Sequence, residues 1–229
     1  MRKAWFAIAV AVASIAVAHA QQKPTVTIPN PGVPEVMTIE GKFVRAAYNN
    51  EGYVIIGYQV ANRSIGEEWM MIDLGTTVRD NVPEYTLTRD KVWVDTADGK
   101  KIPLATSEQH RAANLRALEN RARVQRDSID YFPPMASQAC RIGFFADITS
   151  PARAWDEVAL SNRRACMGRL FFQIPGGIKH GQYFLNVQFA KSLIRVPFRI
   201  LTEEEERLLG DNYGDIRKQV QDAFRPKKK

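Results

Sequence analysis

Two cysteines, Cys140 and Cys166, and the histidines His110 and His180 are the residues from which nucleophilic or metal chemistry would have to be built here. In an oxidising compartment an even pair of cysteines reads first as a disulfide. That bridge would close a loop of about 26 residues and stabilise by roughly 3 kcal/mol in the chain-entropy picture. Arginine lies near each thiol, in Cys140-Arg141 and Arg164-Ala165-Cys166, and a neighbouring cation lowers a thiol pKa, so a reactive cysteine is the competing reading. Two cysteines and, beyond residue 20, two histidines, none at ligand spacing, argue against a structural zinc site. His110 falls in the first turn of an expected helix and His180 in an expected turn, while Ser107, Ser161 and Ser192 stand in no nucleophile-elbow pattern. A Ser-His-Asp arrangement, or paired carboxylates for sugar hydrolysis, is fixed in three dimensions and leaves no spacing to read. No local motif for catalysis, a metal or a cofactor is present, so the expectation is a protein that binds rather than catalyses.

Binding chemistry has more candidates. Arg111, Arg116, Arg121, Arg123 and Arg126 crowd one expected helix, a density that can serve an anionic surface. At 100° per residue Arg116, Arg123 and Arg126 share a sector with Glu119, and Glu119-Arg123 is a favourable spacing of four, so much of that charge is compensated. Aromatic residues are not interleaved with these arginines as a stacking platform requires, which argues against nucleic acid as a partner. Beside the helix, Tyr131-Phe132-Pro133-Pro134-Met135 puts two aromatics and a methionine on a stiff stretch that either packs inward or offers anchors to a partner. Arg116, Arg123, Tyr131 and Phe132 are the residues expected to form a partner-binding surface. Asp95-Thr96-Ala97-Asp98-Gly99 lacks the spacing and terminal glutamate of a calcium loop and reads as a hairpin turn. Asn62-Arg63-Ser64 fits a glycosylation acceptor, meaningful only in a eukaryotic secretory route.

The elements that must position these residues are mostly strands. β-Branched and aromatic runs cover 36–48, 53–60, 69–78, 85–95 and 101–104, with Val54, Ile56, Tyr58 and Val60 alternating on one face. Strand character returns at 141–148, 169–174, 182–190 and 193–201. Between the two groups the period changes to 3.6. Thr106 and Gln109 form a capping box, and Ala112, Leu115, Leu118 and Ala122 an apolar stripe, predicting one inserted helix of about five turns over roughly 106–128. Thr202 and Glu205 cap a second helical region that Gly210 interrupts, and Tyr213, Ile216, Val220 and Phe224 line one face of a further short helix. Asp211, Asp215 and Asp222 on that segment speak against a membrane-surface helix and for docking on the chain's own sheets or on a second copy.

The beginning of the chain indicates its compartment. Arg2 and Lys3, the apolar run 4–17 and Val17-Ala18-His19-Ala20 form a secretory signal with cleavage expected after Ala20. Removal of 1–20 takes away two positive charges, from +7 to +5, and leaves no later run able to cross a membrane. Residues 21–35, with Pro24, Pro29, Pro31 and Pro34, read as an extended tether, and Lys227 to Lys229 as a basic tail. With 45 % apolar residues the remainder can bury a core of its own, expected to be a single domain over 36–201 followed by C-terminal helices.

Gly168-Arg169-Leu170-Phe171-Phe172-Gln173-Ile174-Pro175, the following Gly-rich turn and Gly181-Gln182-Tyr183-Phe184-Leu185 stand out as a motif. With Val60-Ala61-Asn62-Arg63-Ser64 and Asp98-Gly99, it resembles the telokin-like, immunoglobulin-like extracellular domains of secreted bacterial proteins over about half the mature chain. That resemblance implies a binding or cell-envelope module and carries over no catalytic residues. The helical insertion and tail depart from the pattern. The fold expected is mainly β, an antiparallel immunoglobulin-like β-sandwich with an inserted helix and a helical tail. The function expected is binding of another envelope or extracellular component. Self-assembly through the C-terminal helix and an unrecognised secreted hydrolase are the alternatives.

Overall fold

A computed structural model describes residues 36–125, 127–146 and 153–224. The expected signal peptide, the tether, Arg126 and the basic tail lie outside the described residues. The chain is mainly β. Its first sheet contains β1 (Val36–Gly41), β2 (Val44–Tyr48), β3 (Gly52–Gly57), β4 (Trp69–Val78), β10 (Arg164–Gln173) and β8 (Gln138–Arg141), in the order β1-β2-β3-β4-β10-β8. Neighbours run antiparallel except the last pair, which is parallel. A second antiparallel sheet has the order β12-β11-β6-β7, from β12 (Leu193–Ile200), β11 (Gly181–Gln188), β6 (Val92–Asp95) and β7 (Lys101–Pro103). β5 (Tyr85–Thr88) and β9 (Glu157–Leu160) form a separate antiparallel ribbon. Pro197 lies in edge strand β12, where its missing N–H discourages further strand addition.

Both main sheets contribute to one apolar core. Tyr58 contacts Phe43 at 5.6 Å and Phe198 at 5.2 Å between ring centroids, and Phe198 stacks on Tyr183. The first sheet is also covered on its other face, where Val44, Ala46, Ile55 and Ile129 form a second cluster with Phe132 and Met167 against it. Register explains how. Ala46, Ile55, Gly75 and Met167 stand side by side across β2, β3, β4 and β10, and Gly57 lies two residues beyond Ile55 on the same face. The missing side chains of Gly57 and Gly75 leave a trough that residues 127–132 fill. A β-carbon on Gly57 would meet Asp127 Cβ at 2.7 Å, and one on Gly75 would meet the Phe132 ring at 2.9 Å. Burial on both faces also explains why 54–58 is buried throughout rather than alternately.

Cys140 and Cys166 are directly opposed in the parallel β8–β10 register, with Cα atoms 4.1 Å apart, and are joined as a disulfide. The bridge ties the short edge strand to its sheet and removes the reactive-thiol reading, since among the described residues no cysteine is free.

Several expected boundaries move. The strand expected over 53–60 ends at Gly57, and α1 (Gln59–Asn62) comes after it as one helical turn. The 85–95 run is divided by a short 3-10 turn at Arg89–Lys91. Of the strand expected over 141–148, residues 147 and 148 lie outside the described residues; among 141–146 only Arg141, the end of β8, is strand, because the chain after it turns away to pack Phe144 and Phe145 inside. The single inserted helix is two, α2 (Ser107–Ala112) and α3 (Arg116–Val124), since Ala113 adopts an extended conformation. Ala112 is exposed, so the buried stripe begins at Leu115. Gly210 does not stop its helix. α4 (Glu203–Asp211) ends at Asn212, whose side-chain amide donates to the Leu208 carbonyl, and α5 (Tyr213–Phe224) begins at once.

The trough predicts opposite effects at two glycines. Gly57→Ala should destabilise by about 1–3 kcal/mol through overpacking against Asp127. Gly214→Ala, in α5 with no neighbour within 4 Å, should stabilise by up to about 1 kcal/mol. Urea unfolding checks both, and equal effects at the two positions would contradict the packing.

Candidate functional site

Thr106 and Gln109 form the expected capping box, the threonine hydroxyl accepting from Gln109 N at 3.0 Å and the Gln109 side chain accepting from Thr106 N at 2.8 Å. It starts α2 so that His110 points inward. The His110 ring lies between Phe145 and Phe171, with centroids at 4.8 and 4.6 Å. On α3 the inward residues are Leu115, Leu118, Ala122 and, unexpectedly, Glu119. The acid expected to share a sector with Arg116 and Arg123 is buried instead, its Oε1 3.9 Å from His110 Nε2. Desolvation, and then the positive charge of Arg89, holds the imidazole pKa below its ordinary value. Arg89 donates to the Phe144 and Ala105 carbonyls and its guanidinium lies 4.6 Å from the Phe145 ring centroid. One arginine thus ties β5, the end of β7 and the loop after β8 around the histidine.

The helix arginines divide by role. Arg121 donates to Ser64 Oγ at 2.5 Å, to the Arg63 carbonyl at 3.3 Å and to Glu67 at 2.7 Å, fastening α3 to the turn after α1. Arg116 and Arg123 are exposed and make no ion pair among the described residues. Beside them Val124 is 85 % exposed.

Residues 127–135 continue from α3 across the first sheet. Asp127 Oδ2 accepts from Gln59 N at 2.8 Å and so satisfies an N–H at the start of α1. Burial raises its pKa to about 6, opposed by the hydrogen bond from Gln59 and reinforced by the charge of Asp73. Tyr131 is exposed, its hydroxyl donating to the Glu40 carbonyl at 3.2 Å. Phe132 is half-buried over Gly75, and Met135 is exposed. Of the four expected partner-binding residues, Arg116, Arg123 and Tyr131 are exposed. Phe132 is largely engaged by the sheet.

The C-terminal stripe is occupied by the chain itself. Ile216 and Val220 are buried as α5 lies along β1, with Tyr213 donating to the Ile39 carbonyl and Arg217 paired with Glu40 at 2.9 Å. Glu206 of α4 is held by Arg63 at 2.6 Å and Lys42 at 3.1 Å. Asn62, read as a glycosylation acceptor, is 4 % exposed, accepts from Leu201 N and donates to Glu206, so it is a structural residue. Asp98-Gly99 is a hairpin turn as expected, with Gly99 at φ 80° and Thr96 bridging to Lys100. Among the described residues, no group of three His, Cys, Asp or Glu can hold a metal ion, and no helix is long and apolar enough to cross a membrane.

No protein family, curated protein or solved structure matches this chain. The residues that sequence reasoning missed are Glu119, Arg89 and Asp127. Glu119 had a legible signal, because it lies four residues after Leu115 and three before Ala122, inside the buried stripe. Asp127 and Arg89 act on residues far along the chain and left none.

Asp127 makes stability pH-dependent in a defined direction. Its folded pKa lies above the unfolded value of 3.8, so the folded state holds the proton more tightly. Its contribution is fully present below about pH 4, falls as pH rises towards 6 and is lost above, by at most about 3 kcal/mol. Asp127→Asn, which keeps an acceptor for Gln59, should raise the unfolding midpoint at pH 7 and flatten the slope between pH 4 and 6. A variant less stable than the parent at pH 7 would contradict this.

Proposed function

We propose that this is an exported, non-catalytic protein of immunoglobulin-like sandwich type that binds another cell-envelope or extracellular component. Two sheets, antiparallel but for the β8–β10 pair, share one core and support the sandwich. The Cys140–Cys166 bridge departs from an inter-sheet immunoglobulin disulfide, since it joins neighbours in one sheet. Export rests on the basic start, apolar run and small residues before Gln21, and a disulfide suits an oxidising compartment.

The binding surface is the ridge from α3 to Met135. Exposure of Val124, Tyr131 and Met135 along one stretch, with Arg116 and Arg123 beside them, is the observation that carries the proposal. Apolar anchors with arginine match the composition of binding hot spots. Self-association through the C-terminal stripe has less support, because that stripe already covers β1.

Cross-linking in intact source cells, with mass spectrometry of the products, should join the ridge to one other protein, and the purified chain should begin at Gln21. A variant combining Arg116→Ala, Arg123→Ala, Val124→Glu and Tyr131→Ala should lose those links, at least tenfold in yield, with its melting temperature within a few degrees of the parent. Phe132 is left intact because it packs on Gly75. Retention of every link in that variant would remove the ridge, and a chain retaining residues 1–20 would remove the cleaved signal.

A further inference from the structure

On the inward side of α3, Leu115 and Glu119 line, with α2 and with Arg153, Ala154 and Asp156, a cleft of about 480 Å3, within the size range of small-molecule sites. Two buried polar residues line it, Glu119 and His110, the latter 7 % exposed with an Nε2 that has no hydrogen-bond partner among the described residues. Glu119 Oε1 stands 3.9 Å away. That separation is too long for a direct bond, yet one oxygen can span it by accepting from the imidazole N–H and donating to the carboxylate. A hydroxyl has both capacities, whereas a ligand carboxylate or ammonium has only one. Burial and the nearby Arg89 keep the imidazole neutral, which suits a single N–H donor rather than an imidazolium.

The lining carries the opposite charge as well. Arg111 and Arg153 line the same cleft, are exposed, and make no ion pair among the described residues. The other acid there, Asp156, lies 3.6 Å from Arg89. Two guanidinium groups thus face a cleft whose inner part offers a donor at His110 and an acceptor at Glu119. We infer that the cleft binds a small sugar acid, one ring hydroxyl bridging His110 and Glu119 and the carboxylate meeting Arg111 and Arg153. Arginine suits that carboxylate through its paired N–H donors. The site is independent of the ridge and needs no chemical step.

The test is an NMR titration of the purified protein with glucuronate, glucose, glutarate and a short oligouronate, monitoring the His110 ring and the Arg153 side chain. Glucuronate or the oligouronate should shift the His110 signals and saturate in the millimolar range or tighter. Glucose, which lacks the carboxylate, and glutarate, which lacks the hydroxyls, should bind at least tenfold more weakly. Arg111→Ala with Arg153→Ala should weaken the acid at least tenfold without moving the unfolding midpoint. Tighter binding of the oligouronate would place the ligand at the end of an acidic polysaccharide, and equal affinity would point to the free acid; either supports the site. No shift at His110 with either acid up to about 20 mM, equal binding of glucose or glutarate, or full affinity in the double variant would overturn it.

Discussion

Burial of the first sheet on both faces is the constraint on which the rest depends. Gly57 and Gly75 leave a trough on the face turned away from the main core, and residues 127–132 fill it. Without that segment Ile55 and Ala46 would face water, and fully burying an aliphatic side chain as large as isoleucine contributes about 1.5–3 kcal/mol. The same segment brings Asp127 to the first N–H of α1. It also fixes where α3 must enter, which Arg121 secures from the other side through Ser64 and Glu67. The placement of α3 then decides which of its residues face inward, Glu119 beside His110, and which face out, Arg116, Arg123 and Val124.

That arrangement carries charge into places where charge is costly. A buried carboxylate or guanidinium is tolerated only when its hydrogen-bonding capacity is met. Arg89 meets this by donating to two carbonyls from separate parts of the chain. Asp127 meets it partly, which is why burial still raises its pKa despite the bond from Gln59. His110 avoids the cost by remaining neutral, leaving an unpartnered nitrogen at the edge of a cleft. The region least optimised for stability is therefore where polar groups converge, while the C-terminal helices are fastened by conventional means, an apolar stripe and the Glu206 ion pairs.

The sequence was most legible where cause and effect are close along the chain. Thr106 with Gln109 and Thr202 with Glu205 each cap their own helix, and Asp98-Gly99 turns its own hairpin. The apolar stripe of α5 was visible because its period is local, whereas its seat on β1 depends on Ile39 and Glu40, far away in the chain. The break between α2 and α3 was missed because Asn114, which favours a cap over a helix interior, lies between Ala113, a strong helix former, and Leu115, which continues the apolar stripe. The strand expected from Arg141 was misplaced, β8 ending there instead, because it is short and pairs in parallel with β10, a non-local contact. The cleft was hidden for the same reason, since His110, Arg153 and Asp156 meet only through long-range packing of the chain.

The amide of Gln59 reports the central claim most directly, because its hydrogen bond goes to the side chain of Asp127 rather than to a sheet or helix partner. Native-state hydrogen exchange should find it protected to nearly the same free energy as the amides of β3, showing that residues 127–132 stay in the trough until the protein unfolds as a whole. Exchange of Gln59 at the rate of an exposed loop, with β3 still protected, would mean that the segment leaves its seat independently. The insertion could not then be what fixes the ridge and the cleft.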